Sequence, residues 1–137
     1  MKSRPAVPHT VLIVDDSRTV REAVRWALDD APDFTVAGEA ENAAEALERA
    51  ASLQPEVVLL DIELNGMNGY EVCRTLKSRG SGPAVVFLSV HSDADSQHDG
   101  ETAGGDGFVS KGVGWPAVLS ALRQAVKQAT TDAPSRD

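Results

Sequence analysis

Three segments of this chain are apolar for four or five residues in a row and then stop at a polar side chain: VLIVD (11–15), VVLLD (57–61) and AVVFLS (84–89). A strand with one face in water alternates polar and apolar residues, so a run that is apolar throughout needs cover on both faces. The intervening segments supply that cover. Val20, Val24, Ala27 and Leu28 recur at helical spacing over 18–30, with Ser17 placed to cap them. TVAGEA (35–40) reads as a short second strand, and Asn42 with Glu45 resembles a capping box that opens a helix running to about residue 51, with Ala43, Ala46, Leu47 and Ala50 inward. A helix is predicted over 69–78, a fifth strand at GFVSK (107–111), and a last helix over 115–129 with Val118, Leu119, Leu122 and Val126 as its stripe. Strand and helix alternate five times. The fold class is therefore α/β: a doubly wound, five-stranded parallel sheet with helices on both faces, for which the flavodoxin-like order 2-1-3-4-5 is expected.

One segment breaks the pattern. HSDADSQHDGETAGG (91–105) stands where a fourth helix belongs, yet it has no bulky apolar residue and carries Gly100 inside. A helix there has little to bury, and an internal glycine costs about 1 kcal/mol. It is expected to be short, displaced or mobile, with Ala94, Thr102 and Ala103 burying little.

The polar residues that end the strands sort to one edge. In an open parallel sheet, ligands bind beyond the carboxyl ends of the strands, near the switch in strand order. Asp15 and Asp16 end the first strand, Asp61 the third, Ser89 the fourth and Lys111 the fifth. Any one of them has an ordinary explanation as a helix cap, a turn residue or a solvated surface group; their conjunction at one edge does not. Clustered carboxylates raise each other's pKa and need a counter-charge. A hard divalent ion, Mg²⁺, suits an all-oxygen set, and Lys111 adds a second positive charge. A carboxylate, a metal, an ammonium and the Ser89 hydroxyl can together surround a phosphoryl group, with an aspartate as nucleophile.

Charge and composition bear on the remaining classes. A formal net charge of -8 and a pI near 4.8 disfavour direct nucleic-acid binding, though not an anion held through a metal. No stretch approaches the length of a membrane span, and MKSRPAVPHT lacks the apolar core of a signal peptide, so the cytoplasm is the default location. The single cysteine, Cys73, rules out an internal disulfide and reads as a packing thiol.

The stretches VLIVDDSRTVREAV, AENAAEALERAASLQPEVVLLDIELNGMNGYEV, FLSVH and GFVSKG resemble the receiver domain of two-component response regulators over roughly residues 10–130. The resemblance implies a domain at 10–129, after a flexible lead-in at 1–9 and before a tail or linker at 130–137. It implies that Asp61 is the phosphoacceptor. It also implies that Asp15 and Asp16 hold Mg²⁺ with Asp61 and the backbone carbonyl of Glu63, Asp16 touching the ion and Asp15 acting mainly through water. Ser89 and Lys111 then contact the phosphoryl oxygens, and Phe108 is the switch aromatic. The implied partners are a histidine kinase or phosphotransfer protein, an output domain or downstream protein on the helix 4–strand 5–helix 5 face, and a second copy in a homodimer. Helix 1 and GMNGYEV lean toward the subfamily that usually carries a helix-turn-helix output domain. The implied role is a signalling switch that assists its own phosphotransfer and dephosphorylation, not an enzyme. Three further positions depart from the family pattern: Asn65 and Gly112 stand where proline is usual, and Asn68 where aspartate is.

Three rivals remain. A hydrolase using Asp61 would need a nearby acid or base, for which Glu63 is the one close candidate. A flavodoxin-type cofactor binder would need a phosphate-cradling loop where DDSRTV stands. A degenerate receiver would serve as a phosphorylation-independent interaction module, and the polar fourth helix is what keeps that alternative open.

Overall fold

Strand and helix alternate in the order β1 (His9–Val14), α1 (Arg18–Asp29), β2 (Phe34–Ala40), α2 (Ala43–Leu53), β3 (Val57–Asp61), α3 (Gly69–Lys77), β4 (Ala84–Ser89), α4 (Ala94–Thr102), β5 (Gly107–Ser110) and α5 (Trp115–Asp132). This computed structural model describes residues 7–64, 68–78, 80, 82–90 and 93–132. Asn65, most of the lead-in and the end of the tail lie outside the described residues. The five strands form one sheet in the order β2-β1-β3-β4-β5, all neighbours parallel. Strand order reverses beside β1, which places the switch point next to the two aspartates that follow that strand.

The apolar runs do what their composition requires. Alternate residues of each strand feed separate cores. Val11, Ile13, Leu59 and Val86 pack with Val24 of α1 and Leu122 of α5 on one face. Leu12, Val14, Leu60 and Phe87 pack with Ala46 of α2 and Val72 of α3 on the other. Cys73 is buried in this second core, and burial pushes its thiol up to about 11, so it is an inert packing group at neutral pH.

The element ends have local causes. Ser17 caps α1, its hydroxyl accepting the Val20 N–H at 3.3 Å. Asn42 caps α2 by accepting the Glu45 N–H at 2.8 Å, while the Glu45 carboxylate accepts from Glu41 N–H at 3.0 Å, one residue before the cap. Helix α2 runs two residues beyond its expected end and stops at Gln54, whose φ of 50° is left-handed. Proline cannot continue a helix, and Pro55 follows. Strand β1 starts at His9 because the His9 N–H is held by the Asp33 carbonyl at 2.8 Å. Every peptide bond among the described residues is trans. Among them, no helix is long and apolar enough to cross a membrane.

Helix α4 is short, as its composition requires, but it is seated by a means the apolar pattern did not reveal. Gly100 and Ala103 are buried. A Cβ at Gly100 would lie 3.1 Å from Phe87 Cδ2 and 3.3 Å from Phe108 Cδ2. The absence of a side chain at Gly100 therefore lets two rings approach the helix backbone, and Tyr70 adds a hydrogen bond from its hydroxyl to the Ser96 carbonyl at 3.0 Å. Gly100 is the docking point of α4, where the sequence suggested a source of looseness. Gly100→Val is expected to destabilise the domain by about 1–3 kcal/mol through overpacking. Urea denaturation would read that cost, and hydrogen exchange would show 93–103 opening faster; unchanged stability and exchange would show that the seat is not tight.

Candidate functional site

The edge of the sheet at the carboxyl ends of the strands is built from backbone outward. Just past β1, the Asp15 N–H is held by the Ala40 carbonyl at 3.1 Å. Its side chain turns inward and is 1% exposed, with Oδ1 accepting the Ser17 N–H at 2.9 Å. Ser17 provides the helix cap, so Asp16 is not needed for capping; its side chain is exposed.

Asp61 is the last residue of β3, in register with Leu88 of β4, and is 5% exposed. Its Oδ1 accepts the Glu63 N–H at 3.1 Å. Helix α3 begins against this turn. The Gly69 N–H donates to the Ile62 carbonyl at 2.7 Å, and a Cβ at Gly69 would fall 2.4 Å from the Asp61 carbonyl oxygen. Glycine is thus the residue that lets α3 start so close to Asp61. Asn68 caps α3 by accepting the Glu71 N–H at 3.0 Å, which is a task asparagine performs as well as aspartate.

Lys111 follows β5 directly. Its N–H donates to the Ser89 carbonyl at 2.8 Å, which ties the ends of β4 and β5 together. Its Nζ lies 2.9 Å from Asp15 Oδ2 and 3.5 Å from Asp61 Oδ2. The approach to Asp15 is the closer of the two, so that buried oxygen is paired with the ammonium. Carboxylate oxygens of Asp15, Asp16 and Asp61 all lie within 4.8 Å of one another.

Electrostatics follow from this crowding. Burial, and then the charge of Asp15, push the Asp61 carboxyl up to about 6 against the opposing pull of Lys111. Burial alone would lower the Lys111 ammonium, but contact with Asp15 and the charge of Asp61 outweigh it and hold the group above the ordinary lysine value. Three carboxylates meet one ammonium, leaving two negative charges uncompensated within the cluster. A divalent, oxygen-seeking cation matches that charge and that all-oxygen donor set.

Of the residues singled out in the sequence, the structure brings Asp15, Asp16, Asp61 and Lys111 together. Ser89 is buried at the adjoining strand end, and Glu63 is joined to Asp61 through its amide. Phe108 stands apart. It is half-buried on the α4 side of the sheet, its ring centroid 6.1 Å from that of Phe87, which in turn lies 5.4 Å from Tyr70. Sequence reasoning missed Gly69, Tyr70 and Arg21. Arg21 donates from Nη1 to the Asp15 carbonyl at 2.7 Å. No periodicity marks it, since a cation one turn into a helix looks like any solvated arginine.

Comparison with known proteins agrees with this geometry. The family model described as the response regulator receiver domain matches residues 11–126. The chain is 36% identical over 118 residues to the nitrate/nitrite response regulator protein NarL of Escherichia coli strain K12, covering 86% of this chain and 55% of that protein. It is 32% identical over 126 residues to the response regulator MprA of Mycolicibacterium vanbaalenii, covering 92% of this chain and 54% of that protein. The chain thus spans about half the length of these curated relatives. Among solved structures, the signal receiver domain of the putative response regulator NarL from Mycobacterium tuberculosis superposes with a TM-score of 0.84 at 29% identity, over 88% of this chain and 97% of that one.

Proposed function

The chain belongs to the response regulator receiver domain family, and we propose that it acts as a phosphorylation switch in which Asp61 accepts a phosphoryl group. The observation that carries this reading is the buried Asp61 carboxylate at the centre of the sheet edge, with Asp15, Asp16 and Lys111 gathered around it. An Asp61 oxygen attacks the phosphorus of a phosphohistidine on a partner kinase or phosphotransfer protein. The O–P bond forms as the P–N bond breaks, and the imidazole leaves. Asp15, Asp16, Asp61 and the Glu63 carbonyl would hold Mg²⁺, which supplies charge neutralisation at the phosphoryl oxygens. Lys111 exchanges its contact with Asp61 for one with the transferred group, and the Ser89 hydroxyl donates to it. Water later attacks the acyl phosphate and restores the carboxylate.

The signal leaves along the path from Ser89 and Lys111 to Phe108. When Ser89 moves toward the phosphoryl group, Phe108 turns inward and the surface of α4, β5 and α5 changes its preference for an output domain, a downstream protein or a second copy. The alternative is a degenerate receiver acting as a phosphorylation-independent interaction module, and it predicts no phosphoryl gain. The direct test is incubation with a small-molecule phosphodonor and Mg²⁺, followed by intact mass. Gain of one phosphoryl group, labile to hydroxylamine, is the expected result; no mass gain with any phosphodonor or phosphohistidine partner would reject it.

Mg²⁺ is expected to bind before phosphorylation and to depend most on Asp16. Asp16→Asn should weaken binding by about tenfold or more, because it removes a charged ligand oxygen. Asp15→Asn should weaken it less, since Asp15 works mainly through water. Calorimetric titration of the wild type and both variants would check the order, and equal affinity of wild type and D16N would reject the assignment.

A further inference from the structure

We propose that Arg21 is a positioning residue for the acidic pair, setting the direction of the Asp16 carboxylate by gripping the peptide unit that joins Asp15 to Asp16. The inference rests on the Mg²⁺ reading above and deepens it. Asp16 is exposed, so packing holds its side chain less than it holds those of Asp15 and Asp61. Its aim must therefore come from its backbone, and both peptide units that flank it are held. The unit before it presents the Asp15 carbonyl, which accepts from Arg21 Nη1 at 2.7 Å. The unit after it presents the Ser17 N–H, which donates to Asp15 Oδ1 at 2.9 Å. A peptide unit is planar, so fixing its oxygen fixes the amide nitrogen and Cα of the next residue. Arg21 thereby determines where the Asp16 side chain departs from the chain without touching any ion.

Arg21 is itself held. Its side chain is 12% exposed, and its Nε donates to Glu39 Oε1 at 2.9 Å. Glu39 sits on β2 opposite Ile13 of β1, and its other oxygen accepts from Arg25 Nε at 2.7 Å. Arg49 donates to the Glu39 backbone carbonyl. The guanidinium fork thus spans two fixed acceptors with two edges, which a lysine ammonium cannot reproduce. Glu39 has a second effect. Its carboxylate, shared with Arg25, offsets part of the Arg21 charge and so lessens the repulsion of a divalent ion by a cation one peptide away from the acidic pair.

The test compares two ions of different geometric tolerance. Mg²⁺ demands a near-ideal octahedron, whereas Ca²⁺ accepts irregular, higher coordination. Wild type, Arg21→Met, Arg21→Lys and Glu39→Gln would be titrated with each ion by calorimetry, after thermal unfolding has confirmed that each is folded at the working temperature. R21M and R21K are both expected to lose Mg²⁺ affinity by about tenfold, as second-layer substitutions do, and to lose Ca²⁺ affinity by distinctly less. E39Q should move the same way by a smaller factor, and it carries the test if R21M does not fold. Wild-type Mg²⁺ affinity in the folded variants would overturn the proposal. Equal loss of both ions would reduce Arg21 to a structural role, and a wild-type R21K would reduce it to a charge; either result also overturns positioning. A wild-type protein that binds no Mg²⁺ would instead sink the metal reading and this inference with it.

Discussion

Asp61→Ala is expected to abolish phosphorylation outright, from one phosphoryl group per chain to none. The expectation follows from position. Asp61 ends the central strand, has carboxylate oxygens of Asp15 and Asp16 within 4.8 Å, and has one oxygen tied to the Glu63 amide and the other facing the ammonium. Asp15 has one oxygen on the Ser17 amide and the other 2.9 Å from Lys111, the tighter of the two lysine contacts, so it is a poor substitute nucleophile, and Asp16 lies at the exposed side. Intact mass after incubation with a phosphodonor and Mg²⁺ would read the loss. A D61A protein that still acquires a hydroxylamine-labile phosphoryl group would place the acceptor elsewhere.

The second large effect is on stability, and its sign is unusual. With divalent cations chelated, the domain is expected to become more stable as pH falls from 7 toward 5. The Asp61 carboxyl is pushed from 3.8 up to about 6 by burial and by Asp15. The folded state therefore binds this proton more tightly than the unfolded chain does. The stabilisation from protonation is fully present below the unfolded value and is lost as pH rises through the folded one. A shift of this size corresponds to about 3 kcal/mol. Asp33 and Glu39 act in the opposite direction but at lower pH. A hydrogen bond from Arg123 outweighs burial to lower the Asp33 carboxyl, and for Glu39 burial is outweighed by the bonds from Arg25 and Arg21. Their losses set in only as pH falls through their ordinary values, 3.8 for Asp33 and 4.5 for Glu39, so the rise due to Asp61 is read between pH 7 and 5. Asp61→Asn, which removes the titration and the repulsion while keeping an acceptor for the Glu63 amide, should be more stable than wild type at pH 7 by on the order of 2 kcal/mol. Its pH profile over this window should be flat. Urea denaturation at a series of pH values decides; apo wild-type stability that falls between pH 7 and 5, or a D61N protein less stable than wild type, would contradict the assignment.

The parts of the fold that could be read in the sequence are those whose signal is local. VLIVD, VVLLD and AVVFLS declare doubly covered strands by composition alone, and the stripe of Val118, Leu122 and Val126 declares α5 by spacing. The site was legible for the same reason: Asp61 and Ser89 end their strands, Asp15, Asp16 and Lys111 follow theirs directly, and the rule of the sheet edge then gathers all five. What escaped depends on partners distant in sequence. The seat of α4 is made by Phe87 from β4 and Phe108 from β5 meeting a residue without a side chain, so no apolar pattern within 91–105 could announce it. Arg21 escaped because its partners are a carbonyl on β1 and a carboxylate on β2, and neither leaves a trace in the helix that carries it.

The division of each strand between two cores carries a consequence for how the chain finds its alignment. In a strand with one wet face, a slip of one residue turns its greasy side outward and is heavily penalised. In β3 the residues Val57, Val58, Leu59 and Leu60 are all buried, so a one-residue slip would exchange one aliphatic set for another at little hydrophobic cost. Hydrophobicity alone therefore does not choose the frame in which β3 pairs. The groups at and beyond its end do: Gly69, which fits against the Asp61 carbonyl only when it has no Cβ, and Asp61 itself, whose carboxyl side chain accepts the Glu63 N–H at the strand end. The groups gathered at the sheet edge thus double as punctuation for folding, and substitutions at Gly69 put at risk the fidelity of strand alignment as well as the proposed phosphoryl transfer.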